Sequence, residues 1–366
     1  MASSQTKSAP KSAPSLNIPP SLATVDVRVI DTYTNLYLNS SLFWQPPLEG
    51  FDGLDAPVYS FLISHGDTQV VFDLGVRSDW ENYAPHIVSL IRATTTVTRG
   101  NDVAVILDDD ANGSGMVNVR SSDISAVIWS HNHFDHIGNM ATFPSTTDLV
   151  VGPGVRAISV PGWPADPASV VLASDTEDRT VREISFASGD STAGLKIGQF
   201  DAVDYFDDGS FYLLDAPGHA VGHICALART TPDTFVLMGA DACHHASLLR
   251  PTEYMPLPVS VPIGIQGSCP GDVLAALISS RNISPCSPLF TVAGGPVFLD
   301  QGEAAETVRK IQELDAHDGV FVVLGHDRSL RTRIPMFPEK LNGWREMGLG
   351  SETRWMFCED LKHVKF

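Results

Sequence analysis

Between residues 23 and 33 the chain reads ATVDVRVIDTY, an alternation that puts Val25, Val27 and Val29 on one side of an extended segment. Side chains along a strand point to opposite faces in turn, so the pattern predicts a half-buried strand. An aromatic, turn-rich stretch follows, holding Tyr33, Tyr37, Phe43, Trp44 and Phe51. APVYSFLISHGDTQVVFDLGV then predicts two strands joined by the polar turn SHGD, the second ending at Asp73-Leu74-Gly75. The period changes in DWENYAPHIVSLIRA, where Ile87, Leu90 and Ile91 fall on one helical stripe, and SDISAVIWS returns to a buried strand.

The second half keeps the alternation. SFYLLDAPGHAVGHICALART and DTFVLMGADAC read as strands running into polar loops. GEAAETVRKIQELDAH is an amphipathic helix with Val308, Ile311 and Leu314 at helical spacing and Gly319 soon after its end. GVFVVLGHD is a short buried strand that ends at His326. Strands alternating with helices imply a layered α/β architecture. Two segments fit poorly: residues 153–190, with the turn-rich PGWPADP, and residues 251–300, apolar and rich in proline. A loop that long inside a compact domain is usually functional. The expected organisation is a disordered or loosely attached tail over residues 1–22, rich in Ser, Pro, Ala and Lys, then a single domain over 23–366 with the insertion at about 251–300.

Composition narrows the function. The 366 residues are 43% hydrophobic and 18% charged, enough for a sizeable core. A net charge of -19, with no Lys/Arg-rich stripe, repels a phosphate backbone and argues against nucleic acid as a partner. The five cysteines show no CxxC spacing, which suits a reducing compartment better than a disulfide framework. The N-terminus lacks the apolar core of a secretory signal, and no run of about 18 apolar residues occurs. The expectation is a soluble, cytoplasmic protein with no membrane partner.

The chemistry concentrates in WSHNHFDHIGN, Trp129 to Asn139, directly after the apolar DISAVIW. In H-x-H-x-D-H on a sharp turn, alternate side chains point one way, so two ligands can reach one metal while Asp135 and His136 reach a second. Imidazole suits zinc, iron and similar borderline metals, and a carboxylate can bind one ion or bridge two. A metal site also needs distant ligands. His219 in DAPGHAVGH, Asp241 in VLMGADAC and His326 in FVVLGHD each follow an apolar run, which brings them to the same sheet edge. Singly, each could be a satisfied core residue. Jointly they are hard to explain as packing, because an unpaired Asp or His at the end of a buried strand is costly.

In order and context these motifs resemble the metallo-β-lactamase superfamily, from about residue 23 to 330. The resemblance implies an αββα sandwich with a dinuclear site at the edge between its two sheets. His131, His133 and His219 would hold one divalent ion, and Asp135, His136 and His326 the other, with Asp241 bridging and Asp73 beside them. Zinc is the first expectation, with manganese, iron and cobalt open because geometry and supply choose among them. The implied nucleophile is a hydroxide between the cations. SHNHFDHIGN, APGHAVGH and LGHD, with Phe134 included, are most similar to the quorum-quenching N-acyl homoserine lactone lactonases. One departure is that His244, with His245 beside it, stands where those lactonases have tyrosine. A histidine can donate a proton near neutral pH, so the expectation makes His244 catalytic in ring opening, together with Asp135.

The expected activity is opening of a cyclic ester or amide (lactone, lactam or cyclic carbamate) of a small, hydrophobic molecule, with detoxification a natural role. The 251–300 insertion and the loop from Tyr33 to Phe51 would wall an apolar pocket. An alternative is a thioesterase of the glyoxalase II type, with Lys340, Arg345, Arg354, Lys362 and Lys365 meeting an acidic thiol carrier. A scaffolding protein with an idle site is argued against by seven intact ligands, and a mononuclear iron oxidoreductase is separable by metal stoichiometry. A homodimer is left open. His65, His86, His223, His317 and His363 carry no comparable positional argument. His223, four residues after His219, comes nearest to one, though a structural role suits it better.

Overall fold

The computed structural model describes residues 10–187, 194–258 and 270–364. In chain order the strands are β1 (Asp26–Asn39), β2 (Trp44–Gln45), β3 (Gly53–His65), β4 (Thr68–Phe72), β5 (Val97–Thr98), β6 (Ile124–Ile128), β7 (Asp148–Val151) and β8 (Val181–Glu183). The second half adds β9 (Leu195–Ile197), β10 (Phe200–Asp204), β11 (Phe211–Asp215), β12 (Ile224–Thr231), β13 (Thr234–Ala240), β14 (Thr291–Val292) and β15 (Val320–Leu324). Among the described residues they make a seven-stranded sheet in the order β5-β1-β3-β4-β6-β7-β8 and a six-stranded sheet in the order β15-β13-β12-β11-β10-β9. β2 and β14 form a small separate pair.

The two-residue period of each strand decides the layering. Val27, Val29, Phe61, Ile63, Phe72 and Ile128 of the first sheet share one buried cluster with Leu213, Ala226, Val236, Met238 and Val323 of the second. Their chain neighbours face outward. Leu62, Val71 and Val127 pack with Ile87, Ile91 and Leu107, from the helices Pro85–Thr94 and Val103–Asn112. On the far side, Leu227, Leu237 and Val322 pack with Val308, Ile311 and Leu314 of the helix Gln301–Asp315. Both sheets are therefore buried on both faces, which is why their strands read as nearly continuous apolar runs. The result is the expected αββα sandwich.

Several local expectations shift. The helix expected across residues 79–93 begins only at Pro85, and Leu90 is half exposed, so its buried stripe is Ile87, Val88 and Ile91. Trp80–Asn82 form a separate 3-10 turn. The apolar run 210–230 is two strands, β11 and β12, with His219 in the loop between them. Of the segment expected to be loose, residues 10–22 are held against the body. Leu16 is buried in the core, its carbonyl accepts from the Gly198 N–H at 2.7 Å, and the Pro19 carbonyl accepts from Arg229 Nη2 at 2.6 Å. Residues 1–9 lie outside the described residues, as do 259–269 of the proline-rich insertion. The described part of that insertion buries Leu274, Leu277, Leu289 and Phe290 in the core. No helix among the described residues is long and apolar enough to cross a membrane.

Sheet topology sets the position of the site. β4 and β6 run parallel in the first sheet, and β13 and β15 run parallel in the second. β11 also points their way, being two antiparallel steps from β13. The C-terminal ends of these strands meet along one edge of the sandwich. There the Tyr59 N–H donates to the Gly325 carbonyl and the Ile224 N–H to the Ser130 carbonyl, stitching the sheets together.

Candidate metal centre

Asp73 follows β4, the His131–His136 turn follows β6, His219 follows β11, Asp241 follows β13 and His326 follows β15. Two of these loops depend on glycine. A Cβ on Gly218, whose φ is +114°, would lie 2.0 Å from the Ala304 nitrogen, and one on Gly325 would crowd Asp241 and His136 at 3.3 Å. Asp73 and Ala240 take the left-handed φ values of 59° and 42°, conformations that L-residues hold only when the surroundings impose them.

The seven residues expected to bind metal converge as two groups. His131, His133, His219 and Asp241 offer ligand atoms that all lie within 4.8 Å of one another, and so do Asp135, His136, Asp241 and His326. Asp241 belongs to both. Its Oδ1 is 3.0 Å from His136 Nε2 and 3.1 Å from His326 Nε2, while its Oδ2 is 3.4 Å from His219 Nε2 and 3.8 Å from His131 Nε2.

Hydrogen bonds behind the cluster orient the rings. His136 Nδ1 donates to Asp73 Oδ2 at 2.7 Å, and His326 Nδ1 donates to the Pro57 carbonyl at 2.9 Å. Both bonds leave Nε2 turned into the cluster, the arrangement that fixes a metal-ligating tautomer. The other Asp73 oxygen accepts from the Ser130 N–H at 2.7 Å, and Ser130 Oγ lies 3.0 Å from His131 Nδ1. His223 is a support rather than a ligand. Its Nδ1 donates to the Ala216 carbonyl at 2.9 Å, and its Nε2 accepts from the Asp241 backbone N–H at 3.2 Å.

The electrostatics suit cations. Burial, reinforced by neighbouring imidazoles, holds His131 and His219 well below the usual imidazole range. Burial opposes charge on His136 and His326 too. Even so, carboxylates led by Asp241 raise His136 well above its ordinary value and His326 to about 10. His136 Nε2, His326 Nε2 and Asp241 Oδ1 are buried and face one another with no hydrogen-bond partner. Bare buried lone pairs are costly, and one cation would satisfy all three. On that observation, and on its imidazole and carboxylate chemistry, the donor set fits a metal ion.

A cavity of about 300 Å³ opens on this cluster, with His133, Asp135, His219 and Asp241 at its floor. Its walls include Leu36, Leu38, Leu42, Phe43, Leu90, Val170 and Val297, and among the described residues no lysine or arginine lines it. The loop from Tyr33 to Phe51 supplies Tyr37, Leu42 and Phe43, and the proline-rich segment supplies Pro296 and Val297. The C-terminal cations lie elsewhere: Lys340 pairs with Asp26 at 2.6 Å, Arg345 pairs with Asp233 at 3.1 Å, and Lys365 is outside the described residues.

His244 is buried and is not among the residues lining the cavity. Its Nε2 lies 3.0 Å from Asp241 Oδ2, and its ring packs 4.3 Å from that of Phe43, which does line the cavity. His245 sits deeper, among Trp44, Phe51 and Phe290. Sequence reasoning passed over Asn132, inside the motif itself, and Phe298, whose ring lies 5.3 Å from that of His219. An amide between two ligand histidines was the signal for Asn132. Nothing local marked Phe298.

Residues 53–231 match the Metallo-beta-lactamase superfamily. Over 357 residues, 96% of this chain and 91% of the relative, the chain is 61% identical to Metallo-hydrolase mfmC of Annulohypoxylon moriforme. The protein belongs to the metallo-β-lactamase superfamily and is a metallo-hydrolase of that fold. It is 41% identical over 362 residues, 95% of this chain and 85% of the relative, to Gamma-lactamase FDB1 of Fusarium pseudograminearum (strain CS3096). It is also 49% identical over 362 residues to Cytochrome P450 monooxygenase mpaDE of Penicillium roqueforti (strain FM164), a match covering 98% of this chain but 40% of that longer protein. A solved N-acyl homoserine lactone hydrolase, with N-hexanoyl-L-homoserine bound at its catalytic metal centre, shares the fold at a TM-score of 0.56 and 15% identity, over 87% of this chain and 99% of that one.

Proposed function

We propose that the protein is a dinuclear metal-dependent hydrolase that opens a cyclic ester or amide of a small, hydrophobic molecule. The observation that carries this reading is the largely apolar cavity, with no lysine or arginine among its described lining, whose floor is the carboxylate Asp241, one oxygen turned to each ligand group. Two divalent ions, zinc first among them, would be held by His131, His133 and His219 on one side and by Asp135, His136 and His326 on the other, with Asp241 shared. Such ions supply an ionised water at neutral pH and polarise a carbonyl.

The remaining work falls to the chain. Asp73, Ser130 and the Pro57 carbonyl hold the ligand rings in register, and the Leu and Val walls exclude bulk water and receive the apolar body of the substrate. Asp135 lines the cavity, with Oδ2 3.4 Å from His326 Nε2, and is placed to take the proton of the attacking water and pass it to the leaving atom. His244 works through Asp241, whose Oδ2 accepts its Nε2–H, rather than on the substrate, because Phe43 covers its ring. The relative named gamma-lactamase supports the cyclic-amide branch, and among the described residues no lysine or arginine of the cavity offers a seat for an anionic thiol carrier.

Metal analysis of the purified protein, run beside hydrolysis of a panel of lactones, lactams and thioesters, tests the proposal. Two metals per chain and turnover of a cyclic substrate that disappears with chelation are expected. Full activity of metal-free protein, or turnover of thioesters alone, would overturn it.

A further inference from the structure

Asn132 lies between two of the histidines that face the candidate metals, is 6% exposed and lines the cavity. Among the described residues nothing hydrogen-bonds to its carboxamide. Two hydroxyls of the lining are engaged: Thr94 Oγ1 donates to the Leu90 carbonyl and Thr95 Oγ1 to the Tyr37 carbonyl, both at 2.8 Å. The acidic and imidazole groups of the floor belong to the two ligand groups. Its amide atoms are not sealed from solvent, so the carboxamide is free to pair with a molecule that enters the cavity. Asn132 is thus a carboxamide donor and acceptor that this largely apolar cavity holds beside its reactive floor.

We infer that Asn132 is a specificity-determining residue that selects a cyclic amide over the matching cyclic ester. The inference rests on the hydrolase reading above and deepens it. The amide of a small ring is held cis, so its C=O and N–H lie on one edge, an acceptor next to a donor. A primary carboxamide carries the complementary pair and can close two parallel N–H···O bonds with that edge. A lactone replaces the N–H with a ring oxygen, leaving Asn132 Oδ1 against another acceptor. Sites built to hydrogen-bond an N–H reject analogues that lack it, because the buried partner is then left unpaired. The cleavage itself is balanced hydrolysis: the water oxygen joins the carbonyl carbon, the C–N bond breaks, and a water proton goes to the departing nitrogen.

The test uses the metal-loaded protein and three compounds with one shared aromatic substituent: a five-membered lactam, its N-methyl derivative and the corresponding lactone. In the unsubstituted protein, N-methylation should raise KM by about tenfold or more, a penalty that requires no variant to read. In Asn132→Leu and Asn132→Ala, the kcat/KM preference for the N–H lactam over both other compounds should fall by a similar factor, with metal content unchanged. A preference ratio rather than a rate is read, so general damage to the site cancels. Equal KM for the lactam and its N-methyl form in the unsubstituted protein overturns the role of Asn132, as does a ratio that neither variant moves. If none of the three compounds is hydrolysed, the hydrolase reading itself fails and takes this inference with it.

Discussion

His136 Nδ1 and Asp73 Oδ2 lie 2.7 Å apart, and both side chains are sealed from solvent. The bond spans 63 residues of sequence and joins the ends of two parallel strands, β4 and β6. With its other oxygen on the Ser130 N–H, Asp73 holds both the ring and the turn that carries it. Replacing it by alanine removes the acceptor that fixes the His136 tautomer. Asp73→Ala is expected to weaken metal binding roughly 10- to 100-fold, read by chelator competition. Unchanged affinity would mean that the ring is held some other way.

His244 offers a second test of support from behind the cluster. His244→Phe keeps the aromatic packing with Phe43 and Phe298 but removes the hydrogen bond to Asp241 Oδ2. Metal affinity and kcat should fall together while KM changes little, and His244→Gln, which restores an N–H donor, should recover part of both. If kcat, KM and metal affinity are all unchanged in His244→Phe, the residue has no functional role.

The cavity walls predict the polarity of the substrate. Val170 is half-buried at the wall and belongs to neither ligand group. Val170→Lys places an ammonium in an apolar chamber, so kcat/KM for an apolar cyclic substrate should drop by at least about tenfold with metal content intact. An increase for carboxylated substrates at the same time would show that the missing cation sets the preference.

Asp175 is fully buried, and neither of its oxygens has a hydrogen-bond partner of good geometry. Burial pushes its carboxyl up to about 6, with Arg77 working against the rise. The folded pKa therefore lies above the unfolded value of about 3.9, and the native state binds the extra proton between those values. Stability from this group is full below about pH 4 and is lost as pH rises through about 6. A rise of roughly two pH units is worth about 3 kcal/mol. Asp175→Asn should remove that dependence, so urea midpoints measured from pH 4.5 to 7 should shift steadily in favour of the variant as pH rises. A constant difference between the two proteins would contradict this.

Much of the site was legible because its ligands sit where apolar runs stop. Phe72, Ile128, Ala240 and Leu324 end their strands within a few residues of Asp73, His131, Asp241 and His326, and a chain reveals such endings by composition alone. The helix Gln301–Asp315 was equally plain, since Val308, Ile311 and Leu314 repeat at its pitch. Where the reading went astray, local pattern had been overridden by packing. Leu90 fits the helical stripe but turns toward the cavity, and Leu16 lies in a segment of tail-like composition yet is buried in the core.

The sequence by itself determined the layered fold, the set of seven ligand-type side chains and the family to which they belong, because strand period, strand ends and motif order are properties of neighbours along the chain. Tertiary structure alone decided which oxygen of Asp241 faces which group, that His244 lies behind Phe43, and that Asn132 opens on a largely apolar chamber. Those relationships join residues tens to hundreds of positions apart. Their geometry arises only when two twisted sheets pack face to face and bring their strand ends to one edge.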